Sequence, residues 1–229
     1  MTQPERAAVI IPALNESATV GNVVQRVIQC SGLPVWVVND ASTDDTEVKA
    51  RAAGARVINL PQRLGAWGAT QTGLREAKRL NLELVITMDA DGQHEASDIK
   101  RLLQKMRGGG ADAVIGSCTD RGSKLQFLAW AMLRATSGLS YRDPTSGFRV
   151  LGSDAIGLLS SSAASFLDYQ DVGVLLMLDH AGMHVDETPV TMPLRTKGES
   201  KIFASWFKVA TYMAQTLLLG TMKRRYTWK

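Results

Sequence analysis

Residues 82–94 have the sequence LELVITMDADGQH, in which an apolar run passes directly into a short acidic segment. The run over 82–91 is rich in Leu, Val and Ile, which is typical of a strand buried on both faces of a parallel sheet. Asp89 and Asp91 are separated by one residue, and side chains alternate along an extended chain, so both carboxylates would lie on one side. This stretch therefore predicts a buried strand that ends in a pair of carboxylates.

Similar apolar runs recur along the chain and alternate with helical patterns. Four further strands are predicted, over 7–14, 34–40, 55–60 and 111–117. Helices are predicted between the strands, over 20–28, 42–53, 65–80 and 98–107. This alternation indicates an α/β fold, with a mostly parallel central sheet and helices on both of its faces.

Polar residues follow three of these strands at the point where each strand ends. The three segments are PALNE (12–16), NDASTDD (39–45) and DADGQH (89–94). Ligands of open α/β sheets bind at the carboxyl ends of the strands, at a switch in strand order, so we expect one site here. The acidic groups would repel one another unless a cation or hydrogen-bond donors compensate their charge.

The carboxylate pair predicts a metal site. Asp89 and Asp91 are oxygen ligands of the kind that suit Mg²⁺ or Mn²⁺, cations that keep waters and also take substrate phosphates. Gln93 adds a neutral oxygen. The alternative is that the Asp-Gly step only forms a turn and caps a helix. His94 either supports this loop or is an exposed loop residue.

Asp40 ends its strand and has two interpretations. Its carboxylate could accept a hydrogen bond from a ribose hydroxyl or a base N–H. Alternatively it caps the helix that follows, although Ser42 or Thr43 could fill that role.

Six motifs in order give the sequence a wider resemblance. They are IPALNE (11–16), VVNDASTDDT (37–46), LGAWGATQTG (64–73), TMDADGQH (87–94), DPTSGFRV (143–150) and RTKGESK (195–201). Over about residues 7–203 the chain resembles family 2 glycosyltransferases of the GT-A fold. Within that family it resembles dolichol-phosphate mannose synthases and bacterial polyprenyl-phosphate glycosyltransferases.

The resemblance implies a role for each matching residue. The residues implied to hold the nucleoside are Pro12, Leu14, Glu16, Val38 and Asp40. Those implied to contact the sugar diphosphate are Asp89, Ala90, Asp91 and Gln93, of which Asp89, Asp91 and Gln93 would be the metal ligands. Arg195, Ser200 and Lys201 fall on a segment that the resemblance implies to contact the diphosphate and the lipid phosphate. Asp91, Arg195 and Lys201 are the predicted catalytic residues.

The chain departs from the family at Cys118. Relatives commonly have arginine after the Gly-Ser pair that here precedes Cys118, so a phosphate-binding arginine is missing at this position. Arg121 or Arg134 could substitute as a ligand of the acceptor phosphate. Arg149, within the DPTSGFRV motif, is expected to be structural.

The implied reaction is a metal-dependent, inverting transfer of a sugar from GDP-mannose or a UDP-hexose to a polyprenyl phosphate, dolichyl or undecaprenyl. Such an acceptor is already anionic and needs no general base. A sugar hydroxyl in polysaccharide or glycolipid assembly would need a carboxylate base, for which Asp171, near Asp168, is the candidate. The alternative for both acids is that they cap the helix after them. A third hypothesis is a non-catalytic nucleotide-sugar-binding partner, suggested by Cys118.

The net charge of +4 is unevenly distributed along the 229 residues. From Arg195 onward eight basic residues stand against one acid, so residues 1–194 carry −3. Nucleic-acid binders usually carry basic charge on a folded face with interleaved aromatic residues, so nucleic acid is not an expected partner. The basic excess belongs instead to the C-terminal segment.

Residues 201–222 have a wide apolar helical face beside one polar stripe. Only 14 residues separate Lys208 from Lys223, fewer than the ~20 needed to span a bilayer. We therefore expect a catalytic domain over 1–200, with an amphipathic interfacial helix and basic tail over 201–229 at an anionic membrane surface. The alternatives are an oligomer interface or a helix packed on the core.

The start of the chain lacks an apolar segment of signal-peptide length, and Cys30 and Cys118 form no disulfide or zinc pattern. We therefore expect a cytoplasmic location, peripheral on the inner face of the cell membrane. Relatives often carry transmembrane helices after the catalytic domain and this chain does not, so a separate small membrane protein is a candidate partner.

Overall fold

The computed structural model describes residues 6–118, 139–166 and 172–192. These residues form a seven-stranded sheet in the order β3-β2-β1-β4-β6-β5-β7. The strands are β1 (Ala7–Ala13), β2 (Val35–Asn39), β3 (Arg56–Asn59), β4 (Leu84–Thr87), β5 (Ala113–Ser117), β6 (Arg149–Gly152) and β7 (Val185–Pro189). All neighbours are parallel except β6, which runs antiparallel to both β4 and β5. The mostly parallel sheet predicted from the sequence is confirmed, although β6 and β7 were not among the predicted strands.

Helices cover both faces of this sheet, as predicted. They are α1 (Val20–Ser31), α2 (Thr46–Ala52), α3 (Gly65–Arg79), α4 (Ile99–Gly109), α5 (Ser153–Leu159) and α6 (Val172–His180), with short 3-10 turns at Ala96–Asp98 and Ala163–Phe166. Alternate residues of β1 enter opposite cores: Val9 and Ile11 pack with α1 and α4, whereas Ile10 packs with α3, α5 and α6. Each strand is therefore apolar on both sides, which explains the near-continuous Val and Ile runs.

Helix α3 lies especially close to the sheet. A Cβ atom placed on Gly73 would lie 2.6 Å from Cγ2 of Ile10 in β1, so only glycine allows this approach. The N-terminus of α3 follows β3 and therefore points toward the carboxyl edge of the sheet, where the polar segments gather.

Two predicted boundaries were wrong at that edge. The strand predicted over 82–91 ends at Thr87. Ala90 and Asp91 form a turn, and Gly92 after it has a φ of +79°. The helix predicted from residue 42 begins at Thr46, because residues before it are bonded to the loop after β1.

None of the helices within the described ranges has the length and apolar character of a membrane-spanning segment. The amphipathic helix and basic tail predicted over 201–229, and with them the division into domains, lie outside the described residues.

Candidate active site

The switch in strand order lies at β1. The chain runs from β1 to β2 and β3 on one side, then returns to place β4 on the other side of β1. The carboxyl ends of β1, β2 and β4 therefore meet, and the polar segments 12–16, 39–45 and 89–94 meet with them. This is the location predicted from the general rule for ligand sites in open α/β sheets.

The loops after β1 and β2 are bonded directly to each other. The Asn15 amide donates to Oγ of Ser42 (3.0 Å), and the Thr43 amide donates to Oδ1 of Asn15 (2.9 Å). The Glu16 amide donates to Oγ1 of Thr46 (2.8 Å). Asn15 has a φ of +55°, a left-handed conformation that asparagine tolerates better than most residues. These bonds fix the backbone on either side of Glu16.

Asp44 completes the connection between these loops. Its carboxylate accepts hydrogen bonds from the Ser17 amide (3.1 Å), the Thr46 amide (3.0 Å) and the Thr46 hydroxyl. Burial by itself would raise the pKa of Asp44, but the hydrogen bonds from Thr46 and Ser17 outweigh it and lower the pKa to about 2. Asp44 is therefore a structural carboxylate of the site.

Asp40 caps a helix, but not the one that follows it. Its carboxylate is 2% exposed and accepts hydrogen bonds from the amides of Leu64 (2.6 Å) and Gly65 (2.9 Å), at the N-terminus of α3. Helix α2 instead begins after Asp45, which makes no capping bond through its side chain. The contact of Asp40 with the nucleoside remains a prediction. In such a contact, a nucleoside donor would share a carboxylate that already accepts hydrogen bonds from two amides.

The other residues implied to hold the nucleoside or diphosphate divide into two groups. Pro12, Leu14 and Glu16 lie half-buried at the carboxyl edge of β1. The side chains of Val38 and Ala90 are instead buried in the two cores, so they present only backbone to a ligand.

Asp89 and Asp91 follow the end of β4 and are separated by one residue. The Asp89 side chain is 41% exposed, and Oδ1 of Asp91 accepts a hydrogen bond from the Gln93 amide (2.9 Å). Within the described part of the chain, no group of three or more His, Cys, Asp or Glu side chains could hold a metal ion by itself. Mg²⁺ and Mn²⁺ are commonly held by one or two carboxylates together with waters and substrate phosphates, and these residues fit that pattern.

The DPTSGFRV motif forms the wall behind Asp89. A Cβ atom on Gly147 would lie 3.3 Å from both carboxylate oxygens of Asp89, and the Gly147 carbonyl accepts a hydrogen bond from Oγ1 of Thr87 (2.8 Å). His94 is 4% exposed and stacks on Phe148, so its alternative interpretation as an exposed loop residue is wrong.

Arg149 lies inside the fold, as expected of a structural residue. It is 5% exposed, donates from Nη2 to the Pro144 carbonyl (3.4 Å) and lines a cavity of about 20 Å³ beside Asp89. A cavity of this size has room for about one water molecule.

Cys118 is attached to the same motif through its backbone. Its amide donates to Oδ2 of Asp143 (3.3 Å). Burial raises the pKa of the Asp143 carboxyl, while hydrogen bonds from Thr145 and Cys118 and the charge of Arg149 offset part of that rise. Cys118, where the family resemblance implies an arginine, thus adjoins the motif behind Asp89.

A row of three α3 residues was missed from the sequence. Trp67 Nε1 donates to the Ala164 carbonyl (2.7 Å), and Gln71 Nε2 donates to the carbonyls of Leu159 and Ser161 (3.1 and 3.0 Å). Arg75 Nε donates to the Ser160 carbonyl (3.2 Å). Their spacing of four residues on one helix face was the available signal. They hold the turn that precedes Asp168 and Asp171.

The remaining predicted site residues lie outside the described ranges and stay predictions. They are Arg121, Arg134, Asp168, Asp171, Arg195, Ser200 and Lys201.

Comparison with known proteins gives consistent matches. The family model described as Glycosyl transferase family 2 matches residues 8–165. Undecaprenyl-phosphate mannosyltransferase of Micrococcus luteus is 30% identical over 217 residues, covering 86% of this chain and 87% of the relative. Polyprenol monophosphomannose synthase of Mycolicibacterium smegmatis is 28% identical, covering 91% and 87%. Glucosyl-3-phosphoglycerate synthase from Mycobacterium tuberculosis, in a crystal structure with Mn²⁺, UDP and phosphoglyceric acid, shares the fold (TM-score 0.69, 21% identity, 95% of this chain and 78% of that chain).

Proposed function

This chain belongs to glycosyl transferase family 2 and is a glycosyltransferase, and we propose that it transfers a sugar from a nucleoside-diphosphate sugar to a polyprenyl phosphate. The observation that carries the proposal is the pair Asp89 and Asp91 at the switch point of the sheet, beside the bonded loops after β1 and β2. The names of the relatives from M. luteus and M. smegmatis support the choice of acceptor and favour a mannosyl donor. GDP-mannose and UDP-hexoses are both candidate donors.

On the donor side, the chain would bind through two groups of residues. Asp89, Asp91 and Gln93 would hold Mg²⁺ or Mn²⁺. The nucleoside would be held by the half-buried Pro12, Leu14 and Glu16, together with Val38 and Asp40. A bound divalent cation would stabilise the negative charge that develops on the departing diphosphate. Attack from the face opposite the diphosphate would invert the anomeric centre.

On the acceptor side, a lipid phosphate is already an anionic nucleophile. The chain then needs cations that position this phosphate rather than a general base. Arg195 and Lys201, with Ser200 and either Arg121 or Arg134, are the residues proposed for this role.

Transfer of radiolabelled sugar tests the proposal directly. The full chain is incubated with GDP-mannose or UDP-hexoses, undecaprenyl or dolichyl phosphate, and Mg²⁺ or Mn²⁺, and the lipid phase is counted. Asp91→Asn should lower turnover about 100-fold or more, since electrostatic stabilisation of the leaving group is typically of that size. Asp154→Asn is the matched control, because Asp154 is exposed and lies at the start of α5. This helix begins directly after Gly152, which pairs with Leu84 at the start of β4, so Asp154 lies at the edge of the sheet opposite Asp89 and Asp91. Absence of transfer to either lipid, or full activity of Asp91→Asn, would contradict the proposal.

Transfer to a sugar hydroxyl is the alternative chemistry, with Asp171 as the general base. If Asp171→Asn abolishes turnover while donor affinity is unchanged, the acceptor is a hydroxyl and the lipid-phosphate proposal fails.

We further propose that residues 201–229 contact the inner face of the membrane. Deletion of 223–229 removes four basic residues and no acid. Binding to vesicles that contain anionic lipids should weaken, because each basic residue near such a surface contributes about 1 kcal/mol, while donor binding should not change. Unchanged vesicle binding would show that the charge of this tail only aids solvation.

A further inference from the structure

His94 is a buried histidine next to an exposed carboxylate. Its side chain is 1% exposed, whereas the Asp89 side chain beside it is 41% exposed. Histidine is seldom buried to this degree without polar partners, so the partners of its two ring nitrogens indicate what the side chain does.

Both ring nitrogens of His94 face the same residue. The Asp89 backbone amide donates to Nδ1 (3.1 Å), and Nε2 lies 3.8 Å from Oδ2 of Asp89. An amide can only donate, so Nδ1 is the acceptor and the hydrogen of the neutral ring lies on Nε2, toward the carboxylate. A histidine placed only to fill the core would not need to direct both nitrogens at one aspartate.

The hydrogen bond from the Asp89 amide to His94 lies just beyond the end of β4, where pairing with neighbouring strands ends. The pairing of β4 with β1 ends at Thr87, and the Met88 amide donates to the Ile10 carbonyl (3.1 Å). The next amide, that of Asp89, is taken by His94. The imidazole therefore replaces a neighbouring strand for one more residue and fixes the backbone from which the Asp89 carboxylate projects.

The ring is itself held in place. It stacks on Phe148, with ring centroids 5.0 Å apart and an angle of 20° between the planes, and Phe148 is fully buried. Phe148 follows Gly147, whose Cα faces the Asp89 carboxylate closely enough that a Cβ atom would lie 3.3 Å from both oxygens. Asp89 is thus confined by His94 through its backbone and by Gly147 at its carboxylate.

We propose that His94 is a positioning residue that fixes Asp89 for a divalent cation and the diphosphate of the donor. This inference rests on the proposed function, since it assigns Asp89 to that site. Outer partners of metal-binding groups typically change metal affinity by about 10–100-fold when they are removed.

Two substitutions separate the hydrogen bond from the packing. His94→Phe keeps a ring to stack on Phe148 but removes the acceptor for the Asp89 amide. His94→Asn removes the ring but places an amide oxygen the same number of bonds from Cα as Nδ1. Affinity of the full chain for Mn²⁺ is measured by electron paramagnetic resonance, with UDP and with GDP, and the melting temperature without ligand is measured in parallel.

His94→Phe should weaken Mn²⁺ binding in the presence of the nucleotide about tenfold or more, and His94→Asn should restore it to within about threefold of the parent. Parent-like affinity in His94→Phe, together with lost affinity in Asp89→Asn, would overturn the role of His94 and leave the proposed function standing. Equal losses in both His94 variants that follow their melting temperatures would show a structural role only. A parent chain that binds neither Mn²⁺–nucleotide pair would overturn both proposals.

Discussion

Replacement of Asp40 by alanine should destabilise the protein through a helix 24 residues away. The buried carboxylate of Asp40 accepts hydrogen bonds from the amides of Leu64 (2.6 Å) and Gly65 (2.9 Å). Amides at the start of a helix have no partner within the helix, and the positive end of the helix dipole favours a carboxylate there. Asp40→Ala removes both bonds and the charge together.

The magnitude follows from these two bonds. A hydrogen bond to a charged group contributes about 1.5–3 kcal/mol, whereas loss of an ordinary N-cap side chain costs about 0.5–2 kcal/mol. Two bonds to one buried carboxylate therefore predict a loss of about 3 kcal/mol in the free energy of unfolding. For a chain of this size that corresponds to a melting temperature lower by roughly 6–12 °C.

Urea unfolding followed by circular dichroism measures this loss. Asp45→Ala is the matched control, because Asp45 lies in the same loop, is exposed and makes no capping bond through its side chain. The control should change stability by less than about 0.5 kcal/mol. If Asp40→Ala is no less stable than Asp45→Ala, the carboxylate does not hold α3 and the reasoning fails. Affinity for UDP and GDP, measured where the variant is folded, tests the predicted nucleoside contact separately.

Three further substitutions test the site and the fold. Gly147→Ala places a methyl group 3.3 Å from both carboxylate oxygens of Asp89 and should weaken Mn²⁺–nucleotide binding several-fold in calorimetry. Gly157→Ala is the control and should leave this binding unchanged, because its added methyl group would have no atom within 4 Å. Gly73→Ala brings Cβ to 2.6 Å from Ile10 and should lower the free energy of unfolding in urea by about 1–3 kcal/mol; an unchanged or higher stability would refute close packing of α3. Asp44 has a pKa of about 2 in the folded protein, against an ordinary value of 3.8. Its ionised form therefore stabilises the fold fully above about pH 3.8, and this stabilisation is lost as the pH falls through 2. Asp44→Asn should therefore flatten the dependence of melting temperature on pH between 2 and 4, and an identical dependence would contradict the assignment.

Much of the fold and the location of the site could be predicted from the sequence. Five of the seven strands were predicted, because buried parallel strands are continuous apolar runs and their signal is local. β6 and β7 were missed. β6 spans only Arg149–Gly152, and β7 has the sequence VDETP, which shows no apolar run. The polar segments after three strands were predicted to meet because the carboxyl ends of parallel strands lie at one edge, and the structure brings them together there.

The partners of individual side chains depended on the tertiary structure. Asp40 was predicted to contact a nucleoside or to cap the next helix; the capping alternative named the wrong helix, because Asp40 caps α3, and the nucleoside contact stays a prediction. From the sequence, His94 could equally have been an exposed loop residue. Periodicity and turn chemistry depend on neighbours in sequence, so they indicate elements and their ends. Which amide meets which carboxylate depends on how α3, β4 and the loop around Gly147 pack in space. The sequence alone thus determined the α/β sheet and the edge at which its polar segments meet, because both follow from local patterns, whereas only tertiary packing decided that His94 and Gly147 enclose Asp89.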